Sequence, residues 1–172
     1  MRVVASIEIN APPQAVWEFI DEPSRYLGFM SGITRWEVAD PEHPRGLGAR
    51  YRMLMHVGSA EVGGLVEVVE HLPPTDLAWT SIVGIDQRGR WRLRDRGLPH
   101  APRTHVELRL SYGVAGAGFF GWLAERAAAP TVRKPLRRSL QQLKRQVEHE
   151  QLRAAAAERR SRRGASQGGS RR

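Results

Sequence analysis

The sequence predicts an α+β fold in which a curved antiparallel sheet of about seven strands wraps around a long C-terminal helix. The segments between residues 33 and 112 alternate apolar and polar side chains and are joined by short turns, which is typical of an antiparallel meander. The segment from Gly116 to about Gln151 then carries apolar residues at steps of four or three, which places them on one face of a helix: Val132, Leu136, Leu140, Leu143 and Val147. A sheet with one apolar face needs a cover, and this is the long helix that the chain offers.

The chain begins with a strand and a short helix. Alternation of apolar residues over 3–9 predicts the first strand. Asn10 is the predicted N-cap of the helix that follows, with Pro12 and Pro13 in its first turn and Asp21 at its end. A short turn or helix from Pro23 to Leu27 completes the connection.

Six further strands are predicted in series, with turns rich in glycine, proline and aspartate between them. Their ranges are 33–39, 48–57, 60–71, 77–84, 88–95 and 103–112. Gly63 and Gly64 predict a β-bulge, so the pattern leaves open which side of segment 60–71 faces inward.

The final helical segment contains two prolines, and one of them is expected to divide it. Pro135 falls in the first turn of the second part, where a proline does little harm. Pro130 predicts a break or kink, so we expect a short helix near 118–128 and a longer one near 132–158. Residues beyond Glu158 carry no large apolar side chain and are expected to be disordered. The predicted organisation is one domain over residues 1–150 and a basic tail over residues 151–172.

The positive charge of the chain lies at its end. The net charge is +9, and residues 133–172 hold 13 basic and 3 acidic residues, so the preceding part is nearly neutral. This distribution argues against a nucleic-acid surface on the domain itself, although the final helix and tail could contact nucleic acid or an anionic membrane.

Several classes of site and location are not expected. The chain has no cysteine, which excludes disulfides and thiolate metal sites and suits a reducing cytoplasm. Neither a signal-like apolar core nor a stretch long enough to span a membrane occurs. We therefore expect a cytoplasmic protein.

Several short motifs, in order, resemble the polyketide cyclase/dehydrase branch of the START-like (SRPBCC) helix-grip superfamily. They are the strand at 3–9 followed by Ala11-Pro12-Pro13-Gln14-Ala15-Val16-Trp17-Glu18-Phe19-Ile20-Asp21, then Gly46-Leu47-Gly48, Leu72-Pro73-Pro74-Thr75-Asp76-Leu77-Ala78-Trp79-Thr80-Ser81, Gly89-Arg90-Trp91 and Arg103-Thr104-His105-Val106. The closing helix with Leu136, Leu140 and Leu143 also fits. The resemblance covers about residues 1–150 and implies the helix-grip fold. It says less about function, since the superfamily includes lipid carriers, quinone-binding proteins, cyclases and hormone receptors.

The inward strand faces and the final helix supply a set of large apolar and aromatic side chains suited to an apolar pocket. The predicted ligand-binding residues are Tyr51, Met53, Met55, Trp79, Ser81, Trp91, Tyr112, Phe119, Phe120 and Leu123. A filled core is the competing interpretation for each of them. The predicted function is binding of a lipid, quinone or polyketide-like compound as a carrier or sensor, with entry past the turn at 113–121 and the loops at 27–32 and 58–60.

The alternative is an aromatase/cyclase-type enzyme that uses the same cavity. No catalytic residue can be assigned from the sequence, because the six histidines lie in loops, on outward faces or at uncertain register. Glu67, Glu70 and His71 lie where the bulge leaves their facing open, and a surface pair is the favoured interpretation for them.

No metal or cofactor is expected either. The histidines show no metal-ligand spacing. Gly116-x-Gly118-x-x-Gly121 matches a dinucleotide fingerprint, but no strand follows the helix and no acid stands near position 140 to bind a ribose. We interpret these glycines as a flexible turn.

Overall fold

The computed structural model describes the backbone of residues 2–57, 60–84, 86–112 and 118–168. Side chains are described for the same residues except 57, 60, 112, 118–132 and 163–168.

Seven strands form one antiparallel sheet. The strands are β1 (Arg2–Ile9), β2 (Ile33–Val38), β3 (Arg50–Val57), β4 (Ala60–Leu72), β5 (Asp76–Gly84), β6 (Gln87–Asp95) and β7 (Thr104–Tyr112). Their order across the sheet is β1-β7-β6-β5-β4-β3-β2, so the first strand pairs with the last and the others form a meander. The predicted α+β class and strand series are confirmed.

The helices lie at the two ends of the chain. Helix α1 spans Pro13–Ile20, a 3₁₀ turn spans Pro23–Arg25, and α2 spans Tyr26–Phe29. Helix α3 spans Gly118–Gly168. None of the described helices is both long and apolar enough to cross a membrane.

The start of α1 differs from the prediction. Pro12, in an extended conformation, occupies the N-cap position without a side-chain hydrogen bond. The backbone N–H of Asn10 donates instead to Glu148 Oε1 of α3 at 2.8 Å. The asparagine therefore marks where the strand meets the final helix and does not begin α1.

The predicted bulge at Gly63 and Gly64 is also wrong. The β3–β4 pairing runs without interruption past both glycines. The β4–β5 pairing shifts register at two places, where Ile82 of β5 and Val69 of β4 are the unpaired extra residues. Glycine is needed at both positions for steric reasons. A Cβ at Gly63 would collide with Leu54, and a Cβ at Gly64 would collide with the carbonyl of Val83.

Burial and ion pairs show which side chains of β4 face inward. Val66 and Val68 are buried, whereas Val69 is exposed. Glu70 forms an ion pair with Arg90 and Glu67 pairs with Arg50, so both carboxylates are used on the outer face.

Helix α3 buries its apolar seam as predicted. Leu136, Leu140, Leu143 and Val147 are all at most 3% exposed, while the side chain of Val132 lies outside the described residues. The basic residues beside the seam mostly point to solvent, except Lys144, whose Nζ donates to the Glu8 carbonyl at 2.6 Å.

The two expected interruptions of α3 do not occur in the described backbone. The helix is continuous across Pro130, so the proline removes one N–H donor without ending the helix. The helix also passes Glu158 and runs to Gly168. From Gln151 to Arg162 its side chains are nearly all exposed, and the division into domain and basic tail stays a prediction.

Candidate functional site

A narrow cavity lies between the concave face of the sheet and the first described turns of the α3 seam. Its volume is about 30 Å³, which is room for about two water molecules. The described residues that line it are mostly apolar: Met30, Ser31, Ile33, Trp36, Met53, Met55, Trp79, Gln87, Leu110, Pro135, Leu136 and Ser139. None of these twelve residues carries an ionisable side chain, so the described wall is neutral.

Strand alternation and register bring the wall together. Met53 of β3 stands directly opposite Trp36 of β2, and Gly89 of β6 stands between Trp79 and Leu110. A Cβ at Gly89 would lie 2.5 Å from Cη2 of Trp79 and closer still to Cζ2 and Cε2. The missing side chain at Gly89 therefore provides the space in which the Trp79 indole lies.

A second, smaller cavity lies on the other side of two tryptophans. Its volume is about 10 Å³ and its lining includes Asp21, Tyr26 and Tyr51. Trp36 and Trp79 line both cavities, with ring centroids 6.3 Å apart and planes at 82°. These two indoles therefore form the partition between the two spaces.

An aromatic stack supports this partition. Tyr26 lies parallel to Trp36 with ring centroids 4.4 Å apart, and Tyr51 also stacks on Trp36, with centroids 5.2 Å apart. The Tyr26 hydroxyl donates to the Ile20 carbonyl at 2.8 Å and the Tyr51 hydroxyl to the Pro44 carbonyl at 3.1 Å. Both phenols are thus anchored to backbone and hold Trp36 in place.

The two phenols stay protonated at neutral pH. Burial, together with the nearby Asp21 carboxylate, raises the pKa of Tyr51 to about 12. Burial also raises the pKa of Tyr26 far above its usual value, against a smaller opposing effect of the neighbouring Trp91 side chain. Neither group is poised for proton transfer near pH 7.

Two buried polar side chains belong to the cavity. Gln87 is 3% exposed and its Nε2 lies 3.0 Å from Met53 Sδ. The Ser139 hydroxyl accepts from the Ser31 N–H at 2.8 Å and donates to the Pro135 carbonyl at 3.0 Å. Ser139 therefore ties the loop after α2 to α3 at the edge of the cavity.

Three buried indole N–H groups have no hydrogen-bond acceptor among the described residues. They belong to Trp36, Trp79 and Trp91. Buried donors are nearly always paired in folded proteins, so these three groups are exceptions that require an explanation.

The structure separates the residues that the sequence grouped as a pocket. Met53, Met55 and Trp79 line the larger cavity, whereas Tyr51 lines the smaller one. Trp91 is fully buried and packs edge-on against Phe29, with ring centroids 6.2 Å apart.

The remaining members of that group lie at the edge of the described site or outside it. The Ser81 hydroxyl accepts a hydrogen bond from the Gln87 N–H at 3.0 Å. Ser81 therefore holds a residue of the cavity wall but is not itself among the lining residues. The side chains of Tyr112, Phe119, Phe120 and Leu123 lie outside the described residues. Ligand contact by the predicted set stays a prediction.

Other lining residues were missed, although the sequence carried a signal for some of them. Gln87 extends the inward series of Gly89, Trp91 and Leu93 by one step, and Ser139 stands three residues after Leu136 on the buried seam. Trp36 is the one buried residue of β2, whose other residues are exposed or partly buried, so alternation along the strand does not show which way it faces. Met30 and Ser31 come from a loop, for which periodicity gives no orientation.

A histidine–aspartate pair lies beside the smaller cavity. His71 Nε2 and Asp21 Oδ1 are 2.7 Å apart, and the imidazole packs edge-on against Trp17 with centroids 5.2 Å apart. The pair is half-buried and joins β4 to the end of α1. No group of three or more acidic or histidine side chains with metal-binding geometry occurs in the described part of the chain.

Of the three predicted entry segments, only 27–32 is fully described, and its first three residues belong to α2 and not to a loop. Its residues Met30 and Ser31 line the cavity, and Gln146 Nε2 of α3 donates to the Gly28 carbonyl at 2.7 Å. Residues 113–117 of the predicted turn and residues 58–59 of the predicted loop lie outside the described residues. The rest of the predicted turn, from Gly118 to Gly121, is the beginning of α3, so the flexible turn does not extend over these residues.

The sequence of this chain matches one known protein family. Residues 1–148 match the sequence model of the family described as polyketide cyclase / dehydrase and lipid transport. The chain belongs to this family. Among curated proteins, no sequence matches the chain.

Solved structures of other proteins agree with the architecture. TTHA0849 from Thermus thermophilus superposes with a TM-score of 0.70 at 21% identity, covering 86% of this chain and 97% of that one. The Zhui aromatase/cyclase from Streptomyces sp. R1128 gives a TM-score of 0.63 at 18% identity, covering 86% and 93%. KanY gives 0.65 at 16% identity, covering 86% and 97%. The helix-grip fold is therefore confirmed, and identities this low carry the fold alone.

Proposed function

We propose that this protein binds an apolar small molecule, such as a lipid, quinone or polyketide-like compound, between the concave face of the sheet and α3. It acts as a carrier or sensor, and its proposed location is the cytoplasm. The observation that supports this most is the cavity wall, which combines three methionines, two tryptophans and aliphatic residues with three uncharged polar side chains.

Binding requires the cavity to enlarge. Pockets for drug-sized ligands measure about 300–1,000 Å³, whereas the space between the described residues is about 30 Å³. Met30, Met53 and Met55 line it, and methionine is the apolar side chain that changes rotamer most readily. We expect the ligand to displace these side chains and the wall residues of α3.

The loop after α2 is the proposed point of opening. Four hydrogen bonds join this loop and the two helical turns before it to α3. The Ser31 N–H donates to Ser139, the Ser31 hydroxyl to Gln142, Gln146 to the Gly28 carbonyl, and Arg25 to Glu150. The first two bonds are partly buried and the last two are exposed, so water can replace the exposed pair at little cost.

Binding without chemistry is favoured over catalysis by the neutrality of the wall. The twelve described lining residues offer no carboxylate, imidazole, amine or thiol as an acid, base or nucleophile. The aromatase/cyclase alternative would draw on Asp21, which lines the smaller cavity and is bonded to His71. Binding of an acyl aromatic precursor with no turnover supports the carrier, whereas product formation that is lost in Asp21→Asn supports the enzyme.

A second proposal concerns the end of α3, where Arg153, Arg159, Arg160 and Arg162 are exposed. This basic helix can contact an anionic membrane or nucleic acid through charge alone.

Native mass spectrometry of freshly purified protein tests the proposed function. We expect a second charge-state series whose added mass corresponds to a small molecule that organic extraction releases. A single series at the mass of the bare chain, together with no saturable binding from a panel of lipids, quinones and polycyclic aromatics, would contradict it.

A further inference from the structure

We propose that the ligand presents a neutral acceptor oxygen, a ketone or phenol, to the indole N–H groups of Trp36 and Trp79. The inference rests on the proposed function and specifies the chemistry of the molecule bound: an apolar body with an uncharged oxygen placed at the partition between the two cavities.

The first observation is the pair of unsatisfied donors. Trp36 is 7% exposed and Trp79 is 4% exposed, and neither indole N–H has an acceptor among the described residues. Leaving such a donor buried and unpaired is costly, so a site that keeps two of them is suited to a molecule that brings the acceptor.

The second observation is where these donors lie. Trp36 and Trp79 are the two described residues that line both the larger and the smaller cavity. The third unsatisfied indole, that of Trp91, lies beside Tyr26 and is not among the lining residues of either cavity. Of the three indoles with an unpaired N–H, the two that line a cavity are therefore those of Trp36 and Trp79.

The surrounding groups favour a neutral oxygen over a carboxylate. The described wall of the larger cavity holds no cation, and Asp21 on the far side of the partition would repel a negative charge. The hydroxyls of Tyr26 and Tyr51 already donate to backbone carbonyls, and Gln87 Nε2 faces the Met53 sulfur. The two indoles are therefore the donors of the described wall that have no partner at all.

Three probes with one carbon skeleton test this. Fluorenone carries a ketone, fluorene carries none, and fluorene-9-carboxylate carries a charge. Competition against a fluorescent apolar probe measures the three dissociation constants. We expect fluorenone to bind about fivefold more tightly than fluorene, the ratio that one buried neutral hydrogen bond produces, and the carboxylate to bind most weakly.

Phenylalanine variants locate the donor. Trp36→Phe and Trp79→Phe keep an aromatic ring but lose the N–H, so each should lower the ratio of fluorenone to fluorene affinity toward unity. The ratio is the readout, because the smaller ring also changes the cavity and with it the affinity for both probes. Trp91→Phe removes an equally buried N–H away from both cavities and should keep the preference.

The outcomes separate this subsite from the proposed function. If fluorenone and fluorene bind the unmodified protein equally well, apolar binding stands and the acceptor subsite is wrong, a result that needs no variant to fold. A fluorenone preference that persists in both Trp36→Phe and Trp79→Phe also overturns the subsite. If none of the three probes binds, the proposed function fails and the subsite with it.

Discussion

Replacing Gly89 with alanine should displace Trp79 from the cavity wall. The added Cβ would lie 2.5 Å from Cη2 of the indole and closer to two other ring atoms. Carbon atoms in contact sit about 3.5–4.0 Å apart, so the ring has to retreat by at least about 1 Å. The cavity beside it offers only about 30 Å³, and the opposite side is packed against Trp36.

We expect this overpacking to lower the free energy of unfolding by about 3 kcal/mol, the upper part of the usual range for inserted methyl groups. Urea unfolding measures the loss, and near-ultraviolet circular dichroism reports the moved indole. Apolar probes should bind more weakly because the wall is no longer shaped as before. Gly28→Ala is the matched control, since its Cβ meets Gln146 at an ordinary 3.5 Å.

A double-mutant cycle isolates the cause. If the alanine acts through the ring, its cost should largely vanish in a Trp79→Leu background, where the colliding atoms are gone. An unfolding free energy within about 0.5 kcal/mol of the parent for Gly89→Ala, or an undiminished cost beside Trp79→Leu, would refute the reasoning.

Three further predictions follow from the packing, the charges and the end of α3. Leu140→Ala should lower the unfolding free energy by about 2–5 kcal/mol, whereas Leu152→Ala, which is exposed, should change it by less than about 0.5 kcal/mol in the same urea titration. Burial tends to raise the pKa of Asp76, but hydrogen bonds from two arginines outweigh it and hold the pKa below its usual value. Asp76→Asn should therefore cost about 1–3 kcal/mol at pH 7, and the difference should shrink as the pH falls through the folded-state pKa; a constant difference down to pH 2 contradicts the linkage. Deleting residues 152–172 should abolish salt-sensitive binding to anionic vesicles or nucleic acid and leave apolar binding intact, and a truncated protein that loses its apolar ligand would show that the end of α3 belongs to the site.

The strands could be predicted closely because the side-chain period of two is a strong signal in a sheet with one buried face. Segment 103–112 shows this best, with Thr104, Val106, Leu108 and Leu110 all buried in β7. The buried face of α3 could be predicted equally well, since Leu136, Leu140, Leu143 and Val147 follow the helical period.

Alternation gives the face of a residue but not its position along a curved sheet. Trp79 and Trp91 both point inward from neighbouring strands, yet Trp79 pairs with Gly89 at the cavity and Trp91 pairs with Leu77 in the filled core. The difference is a matter of register, which single-strand patterns do not contain.

Contacts between segments that are distant in the chain could not be predicted from the sequence either. The Asn10 N–H is used by Glu148, 138 residues away, so the local capping rule selected the wrong role. Ser31 and Ser139 likewise meet only because α2 and α3 pack together. Such pairings depend on the assembled fold, and sequence periodicity cannot supply them.

A calorimetric titration of one apolar ligand into Met55→Trp and Arg52→Trp tests the central claim most directly. Both substitutions add an indole to β3, one at the cavity wall and one on the exposed outer face. The account predicts that Met55→Trp fills the cavity and lowers affinity at least tenfold, about 1.4 kcal/mol, while Arg52→Trp binds as the parent does. Equal affinity in both variants would contradict binding between the sheet and α3.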